Sequence, residues 1–386
     1  MLDFRSYSID FPVVIGPNIG YPLFIKYESS TDNSIFNFDL LIVAPQESDK
    51  DTLKDKLDGN IDITPLLRLE AESSKKNSAD KNVAVRGKKI LLKIKSVEHI
   101  DIVPINMVKY LESENYLNPA SHFDKFASFG NLSNYFKVSA SFKPPTEVKE
   151  ILKTRNFVMF DIIQNIPNRL VRTNFHSLVL TKQDWKDFTF IQATDIHIAK
   201  RNDEILEKIK TTISKKIRSK IKSFISDLRD KEIPPLEQRF VNPNNQLRKL
   251  IKVVNKKVLN NDIDFLVVTG DIIDFCLISA LGKLEDMVNF HLPNTNWVIF
   301  RDILLNKEEY FKPGMINGEE LLCPIFTVPG NHDFRLAHYD LRWGLMYKKI
   351  GLVLSEALLI FDHWVADPVR ALTPLRICLI NYWQEI

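Results

Sequence analysis

The sequence predicts two units in series: an all-β sandwich of immunoglobulin-like type over 1–184 and an α/β unit over 185–386. Three observations carry this division. Short runs rich in β-branched and aromatic residues, separated by polar turns, fill the part before 184. Helix-period apolar patterns concentrate after 200. Three continuous apolar runs in the second unit each empty into acidic and histidine residues, as the strands of an open α/β sheet empty into a binding crevice.

Taken in order, the opening stretch MLDFRSYSIDFPVVIGPNIGYPLF has no basic leader, and Pro12, Gly16, Pro17, Gly20 and Pro22 interrupt its apolar residues. It reads as a first strand and turn, and neither a signal peptide nor a membrane span is expected. Runs at 36–43, 82–96, 135–142, 157–163 and 177–181 have strand character. The polar stretches 47–58 and 72–81 read as solvated tips, and 107–112 and 146–153 as short helices, with Pro144-Pro145 marking a bend.

In the second unit, Phe188, Phe190, Ile191 and Ala193 form the first apolar run, read as a buried strand ending at Thr194. A long helix is expected over 203–230, because Ile205, Ile209, Ile213, Ile217, Ile221, Phe224 and Leu228 make one stripe. Its other faces are rich in lysine, including Lys215 and Lys216. Pro234-Pro235 and Asn242-Pro243-Asn244-Asn245 precede a second helix at 246–260, which leads into the second apolar run at 264–269. Segments 276–291 and 296–305 read as helical, 310–320 as an irregular loop, and 324–328 as the third run. The apolar stretch 345–361 is interrupted by Lys348, Lys349, Gly351 and Glu356, so it is expected to pack within the unit.

A net charge of +3 with 26% charged residues gives no strong nucleic-acid signal. Cys276, Cys323 and Cys378 are too few and too scattered for a disulfide framework or a thiolate metal site.

The chemistry lies at the three run ends. Asp195-Ile196-His197 places a carboxylate and an imidazole two residues apart, and side chains at that spacing share a face of extended backbone. Gly270-Asp271-Ile272-Ile273-Asp274 follows the second run and Pro329-Gly330-Asn331-His332-Asp333 the third. Gly270 and Gly330 allow close backbone approach or positive φ. Donors of N and O type suit manganese, iron or zinc.

The order Asp-x-His, Gly-Asp-x-x-Asp, Gly-Asn-His-Asp over about 188–338 resembles the calcineurin-like metallophosphoesterase family. The resemblance implies an αββα sandwich of two packed mixed sheets flanked by helices, two divalent metal ions as cofactors, and a phosphomonoester or phosphodiester substrate. It implies that Asp195 and His197 bind the first metal, Asp271 bridges both and Asn331 binds the second. Ions about 3.5–4 Å apart need an anionic bridge, and a bridging water that loses its proton near neutral pH attacks phosphorus in line. His332, by the same resemblance a catalytic group and not a ligand, would donate a hydrogen bond to a phosphoryl oxygen, with Asp333 fixing its tautomer. Lys200, Arg201 and Arg335 are candidates to meet the substrate phosphate, and Asp274 to bond within the motif loop or steady a ligand.

The family pattern continues with a lone His and a Gly-His-x-His. Here only His338 and His363 follow His332, which leads to the expectation of a C-terminally truncated member. The alternative to an enzyme is a non-catalytic binding protein whose sandwich holds a partner, and a third reading has the lysine-rich helix bind a polyanion. A sandwich ahead of such a domain is similar to exported relatives such as the purple acid phosphatases. This chain departs from their Asp-x-Gly and from their Tyr ligand, which is Asp274 here, so no iron–phenolate centre is expected. Lack of a visible signal peptide gives a cytoplasmic expectation, and the two-unit arrangement an exported alternative.

Overall fold

A computed structural model describes residues 12–28, 35–45, 48–72, 81–100, 133–204, 241–275, 295–308, 312, 314–330 and 332–334. In chain order the first part holds β1 (Val13–Gly16), β2 (Leu23–Lys26), β3 (Phe36–Pro45), α1 (Lys50–Leu57), β4 (Ile61–Glu72), β5 (Lys81–Arg86), β6 (Ile90–Leu91), β7 (Lys93–Ile100), β8 (Ser133–Phe142), α2 (Thr146–Thr154), β9 (Phe157–Gln164) and β10 (Arg172–Thr181). These strands make a four-stranded sheet, β1-β3-β8-β7, and a six-stranded sheet, β2-β10-β9-β4-β5 with β6 paired to β4. Pairing is antiparallel except between β2 and β10.

The two sheets close on a core in which Leu40, Ile42, Phe136 and Val138 meet Ile63, Phe160, Leu178 and Leu180. Strand alternation then sends Phe157, Met159 and Val179 to the opposite face, where they join a second core built with the α/β part. Strand β9 is therefore covered on both sides, which accounts for burial at all but one of its positions, Asp161 and Gln164 included.

Two local readings are corrected, and one strand is added. The stretch 47–58 is not only a polar tip: it contains α1, capped by the Asp49 carboxylate, with Leu53 and Leu57 buried one turn apart. Segment 82–96 is not one strand, because the chain leaves β5 after Arg86, pairs again with β4 as β6, and then crosses to the four-stranded sheet as β7. The run 61–72, which the sequence reading did not name, is a twelve-residue strand whose register shifts between Leu66 and Arg68.

The α/β part holds β11 (Phe190–Thr194), α3 (Pro243–Leu259), β12 (Phe265–Thr269), α4 (Asn296–Leu304) and β13 (Ile325–Val328), followed by a 3₁₀ turn at His332–Phe334. The three apolar runs pair as a parallel sheet in the order β11-β12-β13. Leu247, Ile251, Val254 and Val258 on α3 and Trp297 and Phe300 on α4 cover one face together with Leu266 and Val268. The opposite face is not buried as the run at 188–193 led us to expect, since Phe188 and Phe190 remain 49% and 45% exposed. Alternation explains this: Ile191 and Ala193 turn to the core, while Phe190 stacks on Phe265 with centroids 5.3 Å apart.

Among the described residues no helix is long and apolar enough to cross a membrane. The helix expected over 203–230 is described only to Glu204, and the expectations at 107–112, 276–291 and 345–361 and in the centre of 72–81 lie outside the described residues.

A buried ion network joins the two parts. Glu320, on the loop before β13, accepts from Ala84 N–H at 2.7 Å and from Arg86 Nη2 at 2.6 Å, and lies 2.9 Å from His176 Nε2. Arg86 Nε also donates to Asp161 at 2.7 Å. Burial pushes the Glu320 carboxyl up, but the hydrogen bonds and charges of His176 and Arg86 overcome it and hold the group at about 2. Its folded value thus lies below the ordinary 4.5, so its stabilisation is complete above that pH and is lost as pH falls toward 2. Acid unfolding followed by circular dichroism should show a flatter pH dependence across that window in Glu320→Gln, and an unchanged profile would contradict the network's role.

Candidate metal centre

Parallel register places the ends of the three strands, Thr194, Thr269 and Val328, at one sheet edge. Beyond it the backbone turns left-handed at Asp195 (φ 52°), His197 (φ 46°), Gly270 (φ 66°) and Asp271 (φ 40°). The first two loops run side by side, with His197 N–H donating to Asp271 O at 2.9 Å and Ile198 N–H to Ile272 O at 2.9 Å. The third loop locks onto the second. His332 N–H donates to Asp271 Oδ1 at 2.9 Å, and the Asp333 carboxylate accepts from Ile272, Ile273 and Gly330 N–H groups at 3.1, 2.7 and 2.6 Å. A Cβ on Gly330 would lie 2.3 Å from Asp271 N, so only glycine permits this approach.

His197, Asp271 and His332 each offer a ligand atom, and these atoms lie within 4.8 Å of one another. Asp271 Oδ2 is 3.9 Å from Nε2 of both His197 and His332. The two rings meet edge to face, with centroids 4.7 Å apart. Behind them Asp274 Oδ1 lies 3.5 Å from His197 Nδ1 and 3.4 Å from His332 Nδ1. Arg201 forms an ion pair with the other oxygen of Asp274 and lies over the Phe275 ring at 5.0 Å. Burial raises the Asp274 carboxyl, yet hydrogen bonds from both imidazoles and the Arg201 charge outweigh it and keep the group far below the usual carboxylate range.

A carboxylate on the Nδ1 side of both rings favours the Nδ1–H tautomer and leaves both Nε2 lone pairs facing Asp271. The resulting set of two nitrogens and a carboxylate oxygen fits a borderline divalent cation. Replacing Asp274 by Asn should weaken metal affinity about 10–100-fold, as losing the partner of a ligand imidazole does. Equilibrium titration with manganese checks this, and wild-type affinity in the variant would refute the tautomer argument.

The structure thus brings His197, Asp271, Asp274 and His332 together. His332, which the resemblance sets apart from the ligands, stands within the donor group. Asp195 is exposed, accepts from the Thr194 hydroxyl and lies outside that group. The carboxylate of Asp333 does not fix the His332 ring, because it is committed to three backbone N–H groups. In a 3₁₀ turn successive side chains diverge by about 120°, which sends neighbours 332 and 333 apart. Burial lifts the Asp333 carboxyl to about 6 despite those hydrogen bonds. Arg201 is engaged with Asp274, and Lys200 N–H donates to Asn296 Oδ1 at 2.9 Å. Asn331 and Arg335 lie outside the described residues, as do His338 and His363.

Sequence reasoning missed the asparagines behind the first loop, Asn202, Asn242 and Asn244, which are buried and bonded to it or to each other. Asn242-Pro243 before an apolar helix signals a cap, but nothing local signals that the next side chain reaches back to Ala199.

Residues 188–367 match the family model for calcineurin-like phosphoesterase. No curated protein and no solved structure matches the chain.

Proposed function

We propose, since residues 188–367 belong to the calcineurin-like phosphoesterase family, that this chain hydrolyses phosphomonoesters or phosphodiesters with a pair of divalent metal ions. The family carries the metal-dependent phosphoesterase activity, and the observation that supports a working centre is the convergence of His197, Asp271 and His332 at one sheet edge. These three would hold one ion, with Asp195 and Asn331 as the further ligands that the family pattern supplies. When bound, such ions lower the pKa of water and offset charge on phosphoryl oxygens.

The chain's own residues prepare that chemistry. Asp274 orients both imidazoles from behind, and those imidazoles together with Arg201 keep it ionised. Asp271 supplies the carboxylate between the rings, held in place through the His332 N–H. The preceding strands, read as an immunoglobulin-like sandwich, would serve as an accessory unit.

The test is elemental analysis of protein purified without chelator, with hydrolysis of an artificial monoester and diester measured with added manganese. Bound metal together with metal-stimulated hydrolysis of either ester is the expected result. A folded chain that binds no metal and hydrolyses neither ester would overturn the reading and favour a non-catalytic binding protein.

A further inference from the structure

Helix α3 begins with two asparagines that divide the labour. Asn242 caps the helix, its side chain accepting from the N–H groups of Asn244 and Asn245. Asn244 is fully buried and has no part in capping with its side chain. Instead its amide grips the loop that carries Asp195 and His197. Oδ1 accepts from Ala199 N–H at 3.2 Å and Asn202 Nδ2 at 3.1 Å, while Nδ2 donates to Ala199 O at 2.9 Å and Asp203 Oδ2 at 2.8 Å. Asn202 Nδ2 in turn donates to His197 O at 2.9 Å. The far side is anchored as well, because Arg248 holds both oxygens of Asp203 at 3.0 and 2.8 Å.

Every hydrogen-bonding position of the Asn244 amide is thereby used, on partners about one short loop away from the metal donors. His197 needs such a clamp. Its φ of 46° is a conformation that a non-glycine residue keeps only where its surroundings over-determine it. We infer that Asn244 is a positioning residue for the metal centre, holding His197 among the donors through Ala199 and Asn202. This rests on the metal-centre reading above.

The experiment is equilibrium titration of the full chain with Mn2+, read by the electron paramagnetic resonance of the free ion, for wild type, Asn244→Ala and Asn202→Ala. Thermal unfolding of the metal-free proteins is measured alongside. Both variants should bind Mn2+ about tenfold or more weakly, the loss expected when a ligand loses its support. A merely structural role would lower the melting temperature and leave the affinity of the folded protein unchanged. Wild-type affinity in the folded variants overturns the inference, and if Asn244→Ala fails to fold, Asn202→Ala decides alone. Absence of binding in the wild-type chain removes the metal-centre reading and this inference together, and is recognised by its appearance before any substitution.

Discussion

Asp271→Asn should abolish metal-dependent ester hydrolysis, with a loss of about 10³-fold or more, equivalent to about 4 kcal/mol of transition-state stabilisation. One oxygen of Asp271 faces Nε2 of both His197 and His332, so a single carboxylate supplies the negative charge on which the donor group centres. The substitution removes that charge and little else. An amide oxygen can still accept from His332 N–H, the bond that ties the third loop to the second. Folding should therefore survive while manganese affinity falls, which calorimetric titration and a hydrolysis assay on the same preparation would register. Activity within tenfold of wild type would remove Asp271 from the centre.

Arg248→Ala should cost about 3–5 kcal/mol of stability, because it leaves buried carboxylates without their counter-charge. The Arg248 side chain is fully buried and bridges Asp203 and Glu308, with contacts of 2.8 and 2.5 Å. Burial alone would depress its guanidinium, but the hydrogen bonds to both acids hold it above its ordinary value. Since whole-domain stability is about 5–15 kcal/mol, the loss should appear as a large fall in the urea midpoint. A variant within about 1 kcal/mol of wild type would show that the trio is dispensable.

The scaffold of the site was legible because it follows simple periodicities. Three apolar runs ending in polar residues became three neighbouring parallel strands, and of the residues read as the buried face of α3, Leu247, Leu250, Ile251, Val254 and Leu259, the first four pack toward the core while Leu259 is exposed. Helix α1 escaped notice because Leu53 and Leu57 are the only apolar residues in a mostly charged segment. Within the site, adjacency in sequence misled. Asp333 neighbours His332 in the chain yet serves the backbone, while the ring faces Asp274 from 58 residues away. Arg201 looked available to a phosphate because its partner, Asp274, lies 73 residues on. Such pairings depend on three loops meeting, which no short window of sequence encodes.

The left-handed backbone at Asp195, His197 and Asp271 has an evolutionary consequence. For non-glycine residues that conformation costs about 1 kcal/mol or more at each position. Glycine at these places would relax the loops, so selection for stability alone would drift toward it. Retention of an acid, an imidazole and a second acid there marks a standing trade of thermodynamic stability for side-chain chemistry. Sequences descended from this one after release from that chemistry should therefore lose these three residues early, and gain stability as they do.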